Sequence, residues 1–182
     1  MYHNRIKPAN YVYVRMGEMN ETHYEPEIME LYGNDLQKSG NKSNSSHYKV
    51  LDWTSPTTCI ELKTRNNEYD TYPTTMVGYN KVLEYFENIK QGKRCYFLFG
   101  FLDGLFMWEL TQENYDRIGG FDSVRPFEDF VKETDYTTFN PKKIHLYIPI
   151  HQLTQISFKG CLVPDELKSK SKLRKGCCYL KI

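Results

Sequence analysis

Alanine is nearly missing from this chain: Ala9 is the only one among 182 residues, while lysine, asparagine, tyrosine and isoleucine are plentiful. Alanine codons are GC-rich, so the bias points to an AT-rich genome and says nothing about chemistry. Cysteine is also scarce. Cys59, Cys95, Cys161, Cys177 and Cys178 are too few and too irregularly spaced for a disulfide framework, and their odd number fits a reducing compartment. No apolar run approaches the roughly 18 residues of a membrane span, and Met1 to Asn10 lacks the apolar stretch of a signal peptide. The expectation is a soluble, intracellular protein without a membrane partner. Excess charge is missing too. With 24 basic and 23 acidic residues the net charge is +1, so a polyanion would have to be held by a local patch, or with the help of a partner or a homodimer. The five histidines (His3, His23, His47, His145, His151) show no metal-ligand spacing with the cysteines.

What is present suits one packed domain over 1–182. There are 15 Tyr and 10 Phe, and charged residues make up 26%. Tyr11 to Val14 alternates like a short strand. Pro26 suits the first turn of a short helix ending near Gly33. Ser39 to Ser46 is turn chemistry. Two strand-like runs follow, Tyr48 to Trp53 and Cys59 to Thr64, separated by Ser55-Pro56-Thr57. The spacing of Met76, Tyr79, Leu83 and Phe86 predicts a helix over about 74–90, ended by Gly92. Two aromatic runs around Asp103-Gly104 predict a hairpin over 95–110. Residues 111–141 read as an irregular insertion and Ile144 to Ile150 as a final strand. The tail, about 165–182, carries Lys168, Lys170, Lys172, Arg174, Lys175 and Lys181. This order predicts an α/β (α+β) domain with a mixed central sheet flanked by helices.

The run around Pro56-Thr57 has consequences for chemistry. A turn centred between those residues places Trp53 opposite Ile60 and Asp52 opposite Glu61. Side chains alternate along a strand, so Asp52, Glu61 and Lys63 share one face, with Leu51, Trp53, Ile60 and Leu62 on the core side. Directly opposed side chains stand about 4.5–5.5 Å apart at Cβ, where like charges are destabilising. A divalent cation turns both competitors into ligands. Mg²⁺ (or Mn²⁺) held by Asp52, Glu61 and the Leu62 carbonyl, with Lys63 beside it, has the parts of metal-assisted phosphodiester hydrolysis. Glu-x-Lys on a strand also occurs as a solvated salt bridge.

The order helix, Asp52, Ile60-Glu61-Leu62-Lys63, helix, strand resembles the PD-(D/E)XK nuclease superfamily over residues 24 to 110. The segment Cys59 to Lys81 is also similar to small nuclease-like proteins of large eukaryotic DNA viruses. Leu51 stands where the motif has proline. The resemblance implies a restriction-endonuclease-like core, Mg²⁺-dependent DNA hydrolysis, and a location in the host cell or virion. It further implies an acidic residue from the first helix. Glu25, Glu27 and Glu30 are the candidates, and Glu25 shares a helix face with Ile28 and Tyr32. Arg65, Asn80 and Lys81 are candidate phosphate contacts. The rival expectation is a non-catalytic protein of the same fold that binds nucleic acid or serves as a structural or virion component. A third is an aromatic interaction module.

Overall fold

The computed structural model describes residues 8–38, 51–126 and 144–168. The Ser39 to Ser46 loop, the start of the Tyr48 strand, most of the insertion and nearly all of the basic tail lie outside these residues.

Helix α1 (Pro8–Tyr32) opens the fold. The expected strand at Tyr11 to Val14 is therefore helical, and Pro26 lies inside the helix rather than at its start. The reason is a stripe four residues apart: Met16, Asn20, Tyr24 and Ile28 are all buried. Burial along that stripe outweighs one proline, whose side of the helix is exposed. Asn20 fixes the helix to a distant segment, donating to the Leu162 carbonyl and accepting from its N–H at 2.8 and 2.7 Å. The helix ends where the sequence indicates, with Gly33 at φ 107° donating to the Met29 carbonyl.

The main sheet is built from β1 (Gln37–Lys38), β2 (Trp53–Thr54), β3 (Thr58–Thr64), β5 (Arg94–Phe101), β6 (Gly104–Leu110) and β9 (Thr154–Ser157), in the order β1-β2-β3-β5-β6-β9. Only β3 and β5 run parallel; the other pairs are antiparallel. The crossover between them carries β4 (Thr74–Gly78) and helix α2 (Tyr79–Lys90). Thus the helix expected over 74–90 begins only at Tyr79. Thr74, Thr75, Met76 and Val77 pair with β8 (Ile144–Pro149), the β-branched residues favouring the extended state. With β7 (Val124–Pro126) these form a second sheet, β4-β8-β7. The expected strand near Ile144 thus exists, but in this smaller sheet. The insertion is not wholly irregular: helix α3 (Gln112–Arg117) starts at Thr111, whose side chain accepts from the Asn114 N–H.

The hairpin of β5 and β6 forms as expected, with Phe97 opposite Trp108; its two-residue turn is Leu102-Asp103, and Gly104 already pairs with Phe101. Both faces of the sheet are covered. Ile60, Leu62, Tyr96 and Leu98 pack with Tyr24 and Ile28 of α1. Cys59, Phe97, Phe99 and Trp108 pack with Val82 and Tyr85 of α2 and with Val77, Leu146 and Ile148 of the second sheet. Among the described residues no helix is long and apolar enough to cross a membrane.

Candidate active site

Trp53 pairs with Ile60 and Thr54 with Cys59, the register that the turn at Pro56-Thr57 dictates. One step further, the Asp52 N–H donates to the Ile60 carbonyl at 3.2 Å, so Asp52 shares Ile60 with Trp53 and the regular pairing does not continue to Asp52 and Glu61. The ladder of β2 stops there. Asp52 turns its carboxylate onto the edge of β3, where Oδ2 accepts from the Leu62 N–H at 2.8 Å. This bend also corrects the place of Leu51, which packs with the Cys59 and Phe97 core instead of beside Trp53. In an extended strand one residue's N–H and C=O point to the same edge. The Leu62 carbonyl therefore faces the gap that β2 leaves.

Glu61 is 2% exposed, because the face it shares with Cys59 and Lys63 is roofed by α2 and the second sheet. Its Oε1 accepts from Lys63 Nζ at 2.5 Å. Its Oε2 is buried and accepts no hydrogen bond among the described residues, although Lys81 Nζ of α2 forms an ion pair with it at 3.4 Å. Burial pushes the Glu61 carboxyl above the usual carboxylate range and Asp52 adds to this, while Lys63 and Lys81 pull it back without cancelling the rise.

Tyr85 is a member of the cluster that the sequence reading missed. It follows Lys81 by one helical turn, so both lie on the same face of α2. Its ring stacks on Phe97 at 4.6 Å, and Phe97 is the lateral neighbour of Glu61 on β5. The hydroxyl is fully buried and has no hydrogen-bond partner among the described residues. Burial, and then the charges of Glu61 and Asp52, push its pKa far up, so it remains a donor. The i, i+4 spacing of Lys81 and Tyr85 after Glu61-x-Lys63 was the only signal in the sequence.

The other candidates separate from this cluster. Arg65 spends its guanidinium inside the fold, donating to Thr75 Oγ1 at 3.1 Å and to the Met76 carbonyl, and lying over the Phe99 ring at 5.8 Å. Burial lowers it to about 10, so it stays charged at neutral pH. It ties the end of β3 to β4, and the half-buried side chain spends its donors on Thr64, Thr75 and Met76. Asn80 is exposed on the first turn of α2, beside Gly78. Helix α1 covers the opposite face of the sheet from Glu61, and among the described residues no hydrogen bond or ion pair joins Glu25 or the exposed Glu30 to the cluster. Glu27 is instead paired with Lys159 at 2.7 Å.

Among the described residues no three His, Cys, Asp or Glu side chains converge as a metal site. The donors at hand are two carboxylates and one backbone carbonyl, an all-oxygen set that fits a hard divalent ion keeping several waters. Glu61 Oε2 and the Tyr85 hydroxyl fit such an occupant, because neither makes a hydrogen bond among the described residues. Compared with known proteins, the chain matches no protein-family model, no curated protein and no solved structure.

Proposed function

We propose that the chain is a metal-dependent nuclease that hydrolyses phosphodiester bonds of DNA, in the manner of the PD-(D/E)XK enzymes it resembles. The observation that carries this reading is the buried Glu61, paired with Lys63 through one oxygen, accepting no hydrogen bond through the other among the described residues, and within electrostatic reach of Asp52, whose carboxylate accepts from the Leu62 N–H. Its position at the head of a parallel β3–α2–β5 crossover supports the same reading. A carboxylate in such a place is costly unless a ligand repays its burial, and function is the usual reason for breaking that rule.

Glu61, Asp52 and the Leu62 carbonyl would hold Mg²⁺ or Mn²⁺, which when bound polarises a phosphoryl oxygen and makes water a better nucleophile. Lys63, a third exposed, sits between Glu61 and solvent. Its ammonium orients the attacking water and stabilises negative charge as the water oxygen bonds to phosphorus and the ester oxygen leaves. Tyr85 offers one further hydrogen-bond donor from the roof.

The assay is cleavage of plasmid and of single- and double-stranded DNA and RNA, with Mg²⁺ or Mn²⁺ against EDTA. Lys63→Ala should retain metal binding and lose on the order of 10²–10⁴-fold in turnover. Asp52→Asn should lose metal binding as well, because an amide is a poorer ligand for a hard cation. One observation favours a second reading. Glu61 already stands among Lys63 and Lys81, a neutralised arrangement that a non-catalytic nucleic-acid-binding or virion protein of the same fold could keep as structure. Wild-type protein that cuts nothing under all these conditions would make that reading the better one.

A further inference from the structure

The second sheet has two faces, and the core accounts for only one of them. Val77, Leu146 and Ile148 are buried with Phe97 and Tyr85. Side chains alternate along a strand, so Met76, His145 and Tyr147 point the other way, and all three are half-buried. Val124 packs against the core, which sends its neighbour Arg125 to the same outer face, where it is exposed. The Arg125 guanidinium lies over the Tyr147 ring at 4.4 Å. In register, Arg125 stands beside His145, and His145 beside Gly78. Asn80 closes that row, its Oδ1 lying 2.7 Å from where a Cβ on Gly78 would stand.

Charge singles this face out. Among the described residues the other arginines are already spent. Arg15 holds Glu166, Arg94 holds Glu109 and Arg117 holds Glu113, while Arg65 donates to Thr64, Thr75 and Met76. Arg125 makes no ion pair and no hydrogen bond among these residues; its one contact of this kind is the tyrosine ring. Strands β4, β7 and β8 contain no Asp or Glu, in a chain that has 23 of them. Stacking occupies the flat face of a guanidinium and leaves its N–H edge free, the edge that matches two phosphate oxygens.

We infer that the outer face of the second sheet, with Arg125 stacked on Tyr147 at its centre, holds the phosphate backbone of a nucleic-acid strand. On the nucleic-acid reading of the chain, on which this rests, the face supplies the local patch that a net charge of +1 requires. Tyr147 fixes the guanidinium before the ligand arrives, which lowers the entropy lost on binding. Asn80 adds a neutral amide in a row where a carboxylate would repel phosphate. The same sheet roofs Glu61 with its inner face, so the contact lies one layer from the Asp52, Glu61 and Lys63 cluster and contributes affinity, not turnover.

Fluorescence anisotropy of a labelled single-stranded DNA oligonucleotide, titrated in EDTA over a series of salt concentrations, reads this contact apart from cleavage. Arg125→Ala should weaken binding by about tenfold at low salt and lower the slope of log K against log salt by about 0.7, the value of one phosphate contact on a single strand. Tyr147→Leu keeps the charge and removes the platform. It should weaken binding by about two- to fivefold with the slope unchanged, which a merely structural ring would not do. Arg125 is exposed, so Arg125→Ala should melt with the wild type. Wild-type affinity and slope in Arg125→Ala would refute the patch even if the wild type cuts DNA in Mg²⁺. A wild type that cuts nothing yet binds the oligonucleotide through Arg125 keeps the patch and removes the nuclease reading. Absence of binding by the wild type at low salt overturns the patch. Displacement of the oligonucleotide by polyglutamate at equal charge assigns the face to an acidic protein and overturns the choice of nucleic acid.

Discussion

The buried hydroxyl of Tyr85 allows a test that needs no substrate. Tyr85→Phe deletes one oxygen and keeps the ring stacked on Phe97 at 4.6 Å. Leaving a buried hydroxyl unpaired costs about 1–3 kcal/mol, and this one has no partner among the described residues. The low end applies, because the dipole of the hydroxyl recovers part of the cost from the fields of Glu61 and Asp52. The metal-free variant should therefore be more stable than wild type by about 1 kcal/mol. For a chain of this length that raises Tm by about 2–4 °C. Adding Mg²⁺ should reverse the order of benefit. A ligand that binds only the folded state stabilises it by RT ln(1 + [L]/Kd), so tighter binding gives a larger gain in Tm at the same concentration, and the wild type has one more donor facing the site. The gain in Tm on adding Mg²⁺ should be smaller for Tyr85→Phe. Calorimetric melts in EDTA and in a series of Mg²⁺ concentrations read both effects. A metal-free variant that melts several degrees below wild type would mean that the hydroxyl has a partner in the fold, and the reasoning would fail. Equal gains from Mg²⁺ would remove Tyr85 from the site.

Two further outcomes are expected. Glu61 has a carboxyl raised above its unfolded-state value, so the folded chain binds that proton more readily than the unfolded one. The cost of its buried charge is full above the folded pKa and is relieved as pH falls through it towards the ordinary carboxylate value. Metal and proton compete for the same oxygens, so Mn²⁺ affinity should begin to fall at a pH above the usual carboxylate range. A Mn²⁺ titration repeated from pH 8 down to 4 checks this, and a midpoint at or below an ordinary glutamate's would contradict it. Gly160→Ala should destabilise the fold far from the site: an added Cβ would lie 2.0 Å from the Leu102 carbonyl oxygen, backbone that cannot move aside freely. Overpacking of this kind costs about 1–3 kcal/mol, or roughly 2–12 °C in Tm, and an unchanged melt would show that the 157–161 segment can shift.

Local sequence carried the elements whose signals do not depend on distant chain. The hairpin around Asp103-Gly104 and the turn at Pro56-Thr57 were legible because strand register follows from alternation and turn chemistry within a few residues. The same count gave the Trp53–Ile60 and Thr54–Cys59 pairs, while the Asp52–Glu61 pair expected one step further is interrupted by the Asp52 N–H turning to the Ile60 carbonyl. The mixed α/β architecture with helices flanking the sheet followed from the order of those elements. Helix α1 was underestimated because its buried stripe, Met16 to Ile28, includes Asn20, whose burial the Met16 carbonyl and the distant contact with Leu162 make tolerable. The boundary inside 74–90 was lost for a related reason. Thr74 to Val77 is extended because β8, some 70 residues away, pairs with it, and a helical spacing read along the chain cannot register that partner.

The sequence by itself determined the trio Asp52, Glu61 and Lys63 and their neighbourhood on one hairpin, since two strands joined by a tight turn carry their own geometry. Tertiary structure alone decided what surrounds them. Packing of α2 and the second sheet over that face buries Glu61, brings Lys81 and Tyr85 to it, and withdraws Arg65 into the fold. It also sets α1, and with it Glu25, on the other side of the sheet. Burial and charge pairing are sums over elements distant in sequence, so no local pattern encodes them.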